Sequence, residues 1–306
     1  MTQLASRVTL NSNHLYRNGA IIVVICGLLW STAGVGVRYM GEASGLHIVF
    51  FRSVGLLFTI FIVMAWRNKG DLITSLRRIN KMSLLAGIFL GTSFFGNIFA
   101  LLHTSVANVT FLLSSSPFIA ALLGWIILGE RVTKRTWAAI ALTSVGVSVM
   151  VSNALSGDGI IGMALALLMA VCYAVFSVIF RHGKGSDMLP AEAVAGIFAM
   201  LVAASAINNF YISGADLLIC LTLGVFQIGL ALVLFIAGSK HVPAAEMTLL
   251  TMLEVILSPI WVWLLFNEHP GYWTLVGGST IMLGFMVQAL GARRRPALKA
   301  QANHES

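Results

Sequence analysis

The sequence predicts an all-α membrane protein with ten transmembrane helices arranged as two inverted five-helix repeats. Three observations predict this fold. Of 306 residues, 58% are hydrophobic and only 10% are charged, whereas soluble domains carry about a quarter charged residues. The chain offers ten apolar stretches that approach or exceed the roughly 20 residues required by a bilayer core. Several segments of the first half also recur, in the same order, in the second half.

The ten predicted spans lie between breaks that are rich in charged residues, glycine, proline or asparagine. Their bounds are 19–38, 45–66, 82–103, 106–128, 135–152, 157–180, 190–212, 215–239, 242–266 and 271–291. They divide the chain into a cytoplasmic N-terminal tail (1–18), a first five-helix repeat (19–152), a second five-helix repeat (157–291) and a basic cytoplasmic tail (292–306). We expect the first span to be retained, because another span follows it directly and no cleavage signature precedes a soluble body.

The distribution of positive charge predicts the orientation of these spans. Of the 19 lysine and arginine residues, all except Arg38 and Arg52 lie in the two tails or in the loops after the second, fourth, sixth and eighth spans. Because cytoplasmic loops carry an excess of positive charge, we expect both termini to be cytoplasmic in a multi-pass protein of the inner (cytoplasmic) membrane. Topology thus explains the net charge of +8 without a nucleic-acid partner. Arg38 is expected to be an anchor at the outer surface.

The motifs of several other classes of protein are absent from the sequence. The three cysteines are far apart and have no Cys-x-x-Cys spacing, which argues against a disulfide framework or a zinc site. There is no GxxxxGK[ST] loop, no GxGxxG on a strand, no His-Glu-x-x-His helix and no Gly-x-Ser-x-Gly elbow. We therefore expect no catalytic residues, no metal and no cofactor, so that the protein is not an enzyme and any transport is not driven by ATP hydrolysis within this chain.

The repeat is clearest in the fourth and ninth spans. The segment from Ser116-Pro117 to Gly129-Glu130 is followed by Trp137, and the segment from Glu254-Val255 to Asn267-Glu268 is followed by Trp273. One offset of 138 positions pairs the two terminal glutamates and pairs Ser116 with Glu254. A weaker similarity links Trp30 through Arg38 with Tyr173 through Arg181. Because five spans is an odd number, related halves must have opposite orientations in the membrane.

These residues, together with the Phe51-Arg52 pair, resemble the EamA-type members of the drug/metabolite transporter superfamily over nearly all of residues 19–291. The resemblance implies a ten-helix carrier of two inverted repeats, and many members of that family export amino acids or other metabolites. The sequence departs from the family pattern at two positions of the second copy. Val255 occupies the usual proline position, and Asn267 replaces the glycine before Glu268.

Glu254 is the first candidate for substrate binding or coupling. It lies near the middle of the ninth predicted span, where an ionisable side chain costs roughly 2.5–3.5 kcal/mol on insertion scales. Such a cost is consistent with a water-filled cavity in which Glu254 binds a cationic part of the substrate or exchanges a proton. The alternatives are a structural ion pair and a protonated, hydrogen-bonded core acid.

Further polar and aromatic residues within the spans are candidates for the same site. Arg52 could bind a substrate carboxylate, or it could tie helices together through a carbonyl or Glu42. The amides of Asn97 and Gln227 could orient a solute, or they could join helices. Trp30 and Tyr173 could form aromatic walls, although core packing is the more common use of such residues.

Two prolines predict helix breaks at corresponding places in the two halves. Ser116 and Pro117 lie within the fourth span and Pro259 within the ninth. A proline frees a carbonyl one turn earlier, and a pair of interrupted spans in corresponding halves indicates a binding site. A simple packing kink is the alternative.

These observations and the resemblance predict a secondary, non-ATP-driven transporter of a small polar metabolite such as an amino acid or a related compound. Export by alternating access is expected by the resemblance and the inverted repeat. A facilitative channel is the alternative, and a membrane-embedded enzyme is a further one. The expected partners are the small-molecule substrate and the lipid bilayer, while proton or ion coupling and a homodimer are left open.

Overall fold

The computed structural model describes residues 2–67, 71, 79–155, 159–182 and 188–302. Every regular element in these ranges is a helix. Nine of the described helices are long and apolar enough to cross a membrane: Tyr16–Tyr39, Gly45–Arg67, Lys81–His103, Val106–Leu128, Lys134–Leu155, Ile160–His182, Met188–Ala206, Gly214–Gly238 and Leu249–Phe266. They correspond to the first nine predicted spans and keep those ordinal numbers below, which confirms the all-α membrane fold.

The tenth predicted span lies in the helix Tyr272–Ala302, and the count of ten stays a prediction. The orientation of the termini also stays a prediction. Some positions on which these predictions rest lie outside the described residues: Lys69, Arg77, Arg78, Lys184 and the start of the second repeat at 157.

Four of the spans are interrupted or distorted. The first consists of Thr2–Trp30 and Ala33–Tyr39, and the fourth of Val106–Leu113 and Ser116–Leu128. The eighth contains a π-helical segment, Leu223–Leu230, between Gly214–Thr222 and Ala231–Gly238. The ninth consists of Ala244–Thr251 and Leu253–Phe266. The remaining spans are continuous helices, apart from the positions that the structure does not describe.

The two prolines differ in their relation to these interruptions. Pro117 lies in the first turn of Ser116–Leu128, directly after the break of the fourth span, where its missing N–H costs no helical hydrogen bond. Pro259 lies inside Leu253–Phe266, so the expectation that it interrupts the ninth span is wrong. The ninth span breaks at Met252, 138 positions after Ser114. The break therefore follows the repeat, and the helix continues past Pro259 within its packed surroundings.

The fourth and ninth spans end in the same backbone conformation. Gly129 has φ 66° and Asn267 has φ 54°, which places both residues in the left-handed region. Glycine enters this region without a steric penalty, and asparagine is one of the few other residues that tolerate it. Asn267 therefore preserves the turn that presents Glu268, although it departs from the glycine of the family pattern.

The two halves pack against each other in equivalent ways. The third span packs on the sixth and the seventh, while the eighth packs on the first and the second. The fourth span packs on the sixth, and the first packs on the ninth. Each contact becomes its counterpart when every span of the first half is exchanged with the span five places later. These contacts are therefore related by the repeat in the sequence.

The second and eighth spans approach each other backbone to backbone. A Cβ added at Gly224 would overlap with the carbonyl oxygen of Arg52, and one added at Gly55 would lie 2.7 Å from that of Leu221. Glycine at both positions is what allows this approach. The contact fixes the backbone of Arg52, which is the residue on which the candidate site is centred.

Gly224→Ala should lower the free energy of unfolding by about 1–3 kcal/mol, the usual cost of forcing extra atoms into a packed contact. Gly214→Ala, in the same span, is the matched control, because a Cβ at Gly214 meets nothing within 4 Å. Thermal unfolding of the purified variants in detergent measures the difference. Equal melting temperatures for the two variants would contradict the close contact.

Candidate functional site

A buried arginine joins three spans near the centre of the bundle. Arg52 is 6% exposed, and its Nη2 donates to Oε1 of Gln227 at 2.8 Å while its Nη1 donates to Oδ1 of Asn97 at 3.3 Å. The two amide oxygens offset part of the cost of removing the guanidinium from water. Its Nε has no hydrogen-bond partner within the described residues. The structure thus brings together three of the candidate residues, one each from the second, third and eighth spans.

The interruption of the first span lies next to this group. The hydroxyl of Ser258 donates to the carbonyl oxygen of Ser31 at 3.0 Å, and Nε1 of Trp261 donates to the hydroxyl oxygen of Ser31 at 3.0 Å. Nε2 of Gln227 donates to the carbonyl oxygen of Trp30 at 3.5 Å. Backbone groups exposed by the break are therefore satisfied by the eighth and ninth spans, as a membrane interior requires.

The break of the first span is not among the predictions from the sequence, although the sequence contains a signal for it. Ser31 and Thr32 are consecutive, and their hydroxyls donate to the carbonyl oxygens of Leu28 and Leu29, each at 2.7 Å. Such side chains compete with the backbone for its own hydrogen-bonding groups. A serine–threonine pair within an apolar span could have indicated the interruption without a proline.

Glu254 lies beside the break of the ninth span, as the second residue of Leu253–Phe266. It is partly buried, and within the described residues it makes no ion pair. It is nevertheless in electrostatic range of Arg52 and of Tyr173. An acidic and a basic side chain therefore lie in electrostatic range of each other without forming an ion pair.

The remaining candidates stand in different relations to this group. The ring of Tyr173 packs against Phe176 at a centroid distance of 5.7 Å, and that of Trp30 against Phe235 at 5.5 Å. Both rings are partly buried, and their role as walls of a solute site stays a prediction. Ser116 is buried, but no described hydrogen bond joins it to Arg52 or Glu254.

A second acidic residue of the interior, Glu192, is not among the candidates predicted from the sequence. Glu192 lies in the seventh span and is only 6% exposed, and its carboxyl group is in electrostatic range of Tyr173. It lies only two residues from the predicted start of its span at 190. The signal that could have found it is the one that identified Glu254, an acid within an apolar stretch.

A cluster here termed the Arg38 clasp holds one end of the bundle. Nε of Arg38 pairs with Oε2 of Glu268 at 2.7 Å, and Nη2 donates to the carbonyl oxygen of Thr104 at 2.9 Å. Oε1 of Glu268 accepts from the N–H of Val106 at 2.7 Å, in the first turn of a helix, where negative charge is favoured. Arg38 is therefore an interhelical tie, not only the surface anchor that the sequence indicated.

A second cluster, the Arg181 clasp, lies at the opposite end of the fourth span. Nη1 of Arg181 pairs with Oε2 of Glu130 at 3.2 Å, and Nη2 donates to the carbonyl oxygen of Ala120 at 2.9 Å. The two arginines and the two glutamates are the repeat-related pairs that the sequence alignment of the halves indicated. In both clasps the arginine of one half pairs with the glutamate of the other half. The clasps therefore join the halves crosswise.

The described residues contain no group of three or more histidine, cysteine, aspartate or glutamate side chains arranged to hold a metal ion. Taken together, the helices, the paired halves and the polar centre define a multi-pass membrane protein of a transporter type. The chain belongs to the EamA-like transporter family, whose model matches residues 17–152 and 160–289, once in each half. This confirms the resemblance to EamA-type members of the drug/metabolite transporter superfamily. A small-molecule substrate and a lipid bilayer are the partners of such a protein.

Several known proteins are similar to the chain at low identity. The "Pseudopaline exporter CntI" of Pseudomonas aeruginosa is 24% identical, over 88% of this chain and 95% of the exporter. The human "Solute carrier family 35 member G1" is 23% identical, over 89% of this chain and 78% of the human protein. A solved crystal structure shares the fold with a TM-score of 0.66 and 19% identity, covering 91% of this chain and 99% of that one.

Gln227→Leu should lower the free energy of unfolding by about 1.5–3 kcal/mol, because it removes a hydrogen bond to a charged group. Phe226→Leu is the control, since the neighbouring Phe226 is 50% exposed. The Arg52→Met background isolates the contact, and there the effect of Gln227→Leu should fall to the smaller part that comes from the hydrogen bond of Gln227 to the Trp30 carbonyl oxygen. Thermal unfolding of wild type, the two single variants and the double variant measures this coupling. An unchanged effect of Gln227→Leu in the Arg52→Met background would show that the contact does not stabilise the fold.

Proposed function

We propose that the protein is a secondary exporter of a small polar metabolite, such as an amino acid or a related compound, that works by alternating access in the cytoplasmic membrane. One observation carries the proposal. Arg52 is a basic and Glu254 an acidic side chain, and the two lie in electrostatic range of each other without forming an ion pair. Two such groups beside broken helices are suited to a solute that itself carries both charges.

The chemistry of the two side chains supports a zwitterionic solute. A guanidinium recognises a carboxylate through paired N–H donors, and the Nε of Arg52 has no partner among the described residues. A carboxylate accepts hydrogen bonds from an ammonium group. Glu254 is therefore assigned to the cationic part of the solute and Arg52 to its carboxylate. Export is supported by the name of one relative, the pseudopaline exporter, and by the family resemblance.

The two clasps support alternating access. They occupy opposite ends of the fourth span, and each one joins the first half to the second. Separating the halves at one end therefore requires that one clasp break, while the other can remain closed. The Arg38 clasp is assigned to the outer face and the Arg181 clasp to the cytoplasmic face. This assignment assumes ten spans, inverted halves and cytoplasmic termini. The distribution of lysine and arginine supports that topology.

The roles of Ser116, Asn97, Trp30 and Tyr173 in binding remain part of this proposal. Asn97 is already engaged by Arg52, so its part is to orient the guanidinium. Tyr173 is in electrostatic range of Glu254, where its phenol can form the wall nearest the cationic group. Homodimerisation stays a prediction.

The substrate is tested by expressing the protein in cells that lack overlapping exporters and quantifying metabolites inside and outside the cells by mass spectrometry. We expect one class of small zwitterionic compounds to leave the cells faster. Glu254→Gln should abolish this efflux, because the amide cannot be negatively charged, whereas the control Glu246→Gln, near the start of the ninth span, should retain it. Normal efflux with Glu254→Gln and with Arg52→Ala would rule out the proposed site.

Alternating access is tested with a water-soluble maleimide on single cysteines in a background that lacks the three native ones. Thr104→Cys lies beside the Arg38 clasp and Ser177→Cys beside the Arg181 clasp. Arg38→Gln should increase labelling at 104 and decrease it at 177. We expect the labelling at each position to change about fivefold, which corresponds to a shift of about 1 kcal/mol in the equilibrium between the two conformations. Lys240→Gln, which removes an exposed cation outside both clasps, should change neither. A channel would show increased labelling at 104 without the decrease at 177.

A further inference from the structure

Glu192 is a buried acid that has no role in the proposed solute site. It lies in the fifth position of Met188–Ala206 and is 6% exposed. Within the described part of the chain, its Oε2 has no hydrogen-bond partner. Its neighbours Ala191 and Ala193 belong to two different hydrophobic clusters, one with the third span and one with the second. The carboxyl group is thus carried into the bundle between two apolar contacts.

The charged groups of the helices packed on the seventh span do not pair with Glu192. These helices are the second and third spans, and their titratable residues are His47, Arg52, Arg67, Lys81 and His103. Arg52 is directed to Asn97 and Gln227. The other four lie within two residues of a helix end, whereas Glu192 is level with Gly87, where an added Cβ would meet Ala191 and Val194 on either side of it. The sixth span contributes Tyr173, in electrostatic range.

An ionised carboxylate in these surroundings would lack a compensating charge. Even after relaxation, burying an unpaired ion costs several kcal/mol, and the membrane supplies no water to reduce that cost. A protonated carboxyl avoids most of it. A metal cation is a poorer occupant, because hard cations require several oxygen ligands and the flanking alanines supply no side-chain oxygen. The chemistry therefore favours a proton.

We propose that Glu192 is a proton-binding site that couples proton movement to solute movement. The inference rests on the proposed transport function and deepens it. The carboxylate takes up one proton from the aqueous phase on one side to become a carboxylic acid, and it later releases that proton to the other side. No other reactant is consumed.

The position of Glu192 explains how such a site would gain access to water and to the solute. It is four residues from Met188, or about 6 Å along the helix axis, at the end of the bundle that holds the Arg181 clasp. Opening at that end would bring water close to the carboxyl group. Tyr173 is in electrostatic range of both Glu192 and Glu254, and its hydroxyl can donate and accept. Tyr173 is therefore the side chain that can link Glu192 to the residue assigned to the solute.

The proton is detected directly by infrared spectroscopy of the purified protein in lipid, as the carbonyl band of a protonated carboxylic acid that changes with pH. Wild type, Glu254→Gln and Glu192→Gln are compared. We expect one component of the band to be lost in Glu192→Gln, retained in Glu254→Gln and restored in Glu192→Asp. The amide is isosteric with the protonated acid, so the fold should be preserved, and thermal unfolding checks this. A band that is identical in wild type and Glu192→Gln would overturn the proposal.

Coupling is measured in vesicles with the solute identified by the metabolite panel. Glu192→Gln should lose the response of transport to a pH gradient while it retains solute exchange at equal pH on both sides. An intact response to the gradient in Glu192→Gln would overturn the proposal. Failure of the proposed function is a different result: wild type would move no solute in either assay, and the infrared band would still decide whether Glu192 takes up a proton.

Discussion

The structure depends on one constraint: within a bilayer, every backbone group that a helix leaves unpaired must be satisfied by another part of the protein. The break at Ser31 meets this constraint through Ser258 of the ninth span and Gln227 of the eighth, which donate to backbone carbonyl oxygens. Gln227 also accepts from Arg52. The same amide side chain thus supports an irregular backbone and a buried charge, so the break and the arginine are parts of one arrangement.

The two clasps are related by the repeat but differ in their surroundings. Arg38 and Glu268 are 25% and 23% exposed, whereas Arg181 and Glu130 are 45% and 41% exposed. Because ion pairs weaken with exposure to water, the Arg38 clasp is the stronger tie in this structure. In addition to its two charged side chains, the Arg38 clasp includes a helix terminus. Two halves with related sequences therefore produce closures of different strength at the two ends of the bundle.

Much of the fold could be predicted from the sequence, because apolar length and charge distribution are properties of single segments. The polar residues of the site could also be selected, since Arg52, Gln227 and Glu254 each stand out within an apolar stretch. Their contacts could not be predicted, because these depend on which faces of distant spans meet. Pro259 shows the same limit, since the repeat and the surrounding helices, and not the proline, determine where the ninth span breaks.

The π-helical segment Leu223–Leu230 carries both Gly224, which contacts the second span, and Gln227, which holds Arg52. A π-helix contains more residues per turn than an α-helix, and such segments are frequent at functional sites. Each residue of an α-helix is rotated by about 100° from the last, so a shift of one residue in the register of this segment would turn the amide away from the guanidinium. The π-helical winding of the eighth span and the hydrogen bond between Gln227 and Arg52 therefore depend on each other.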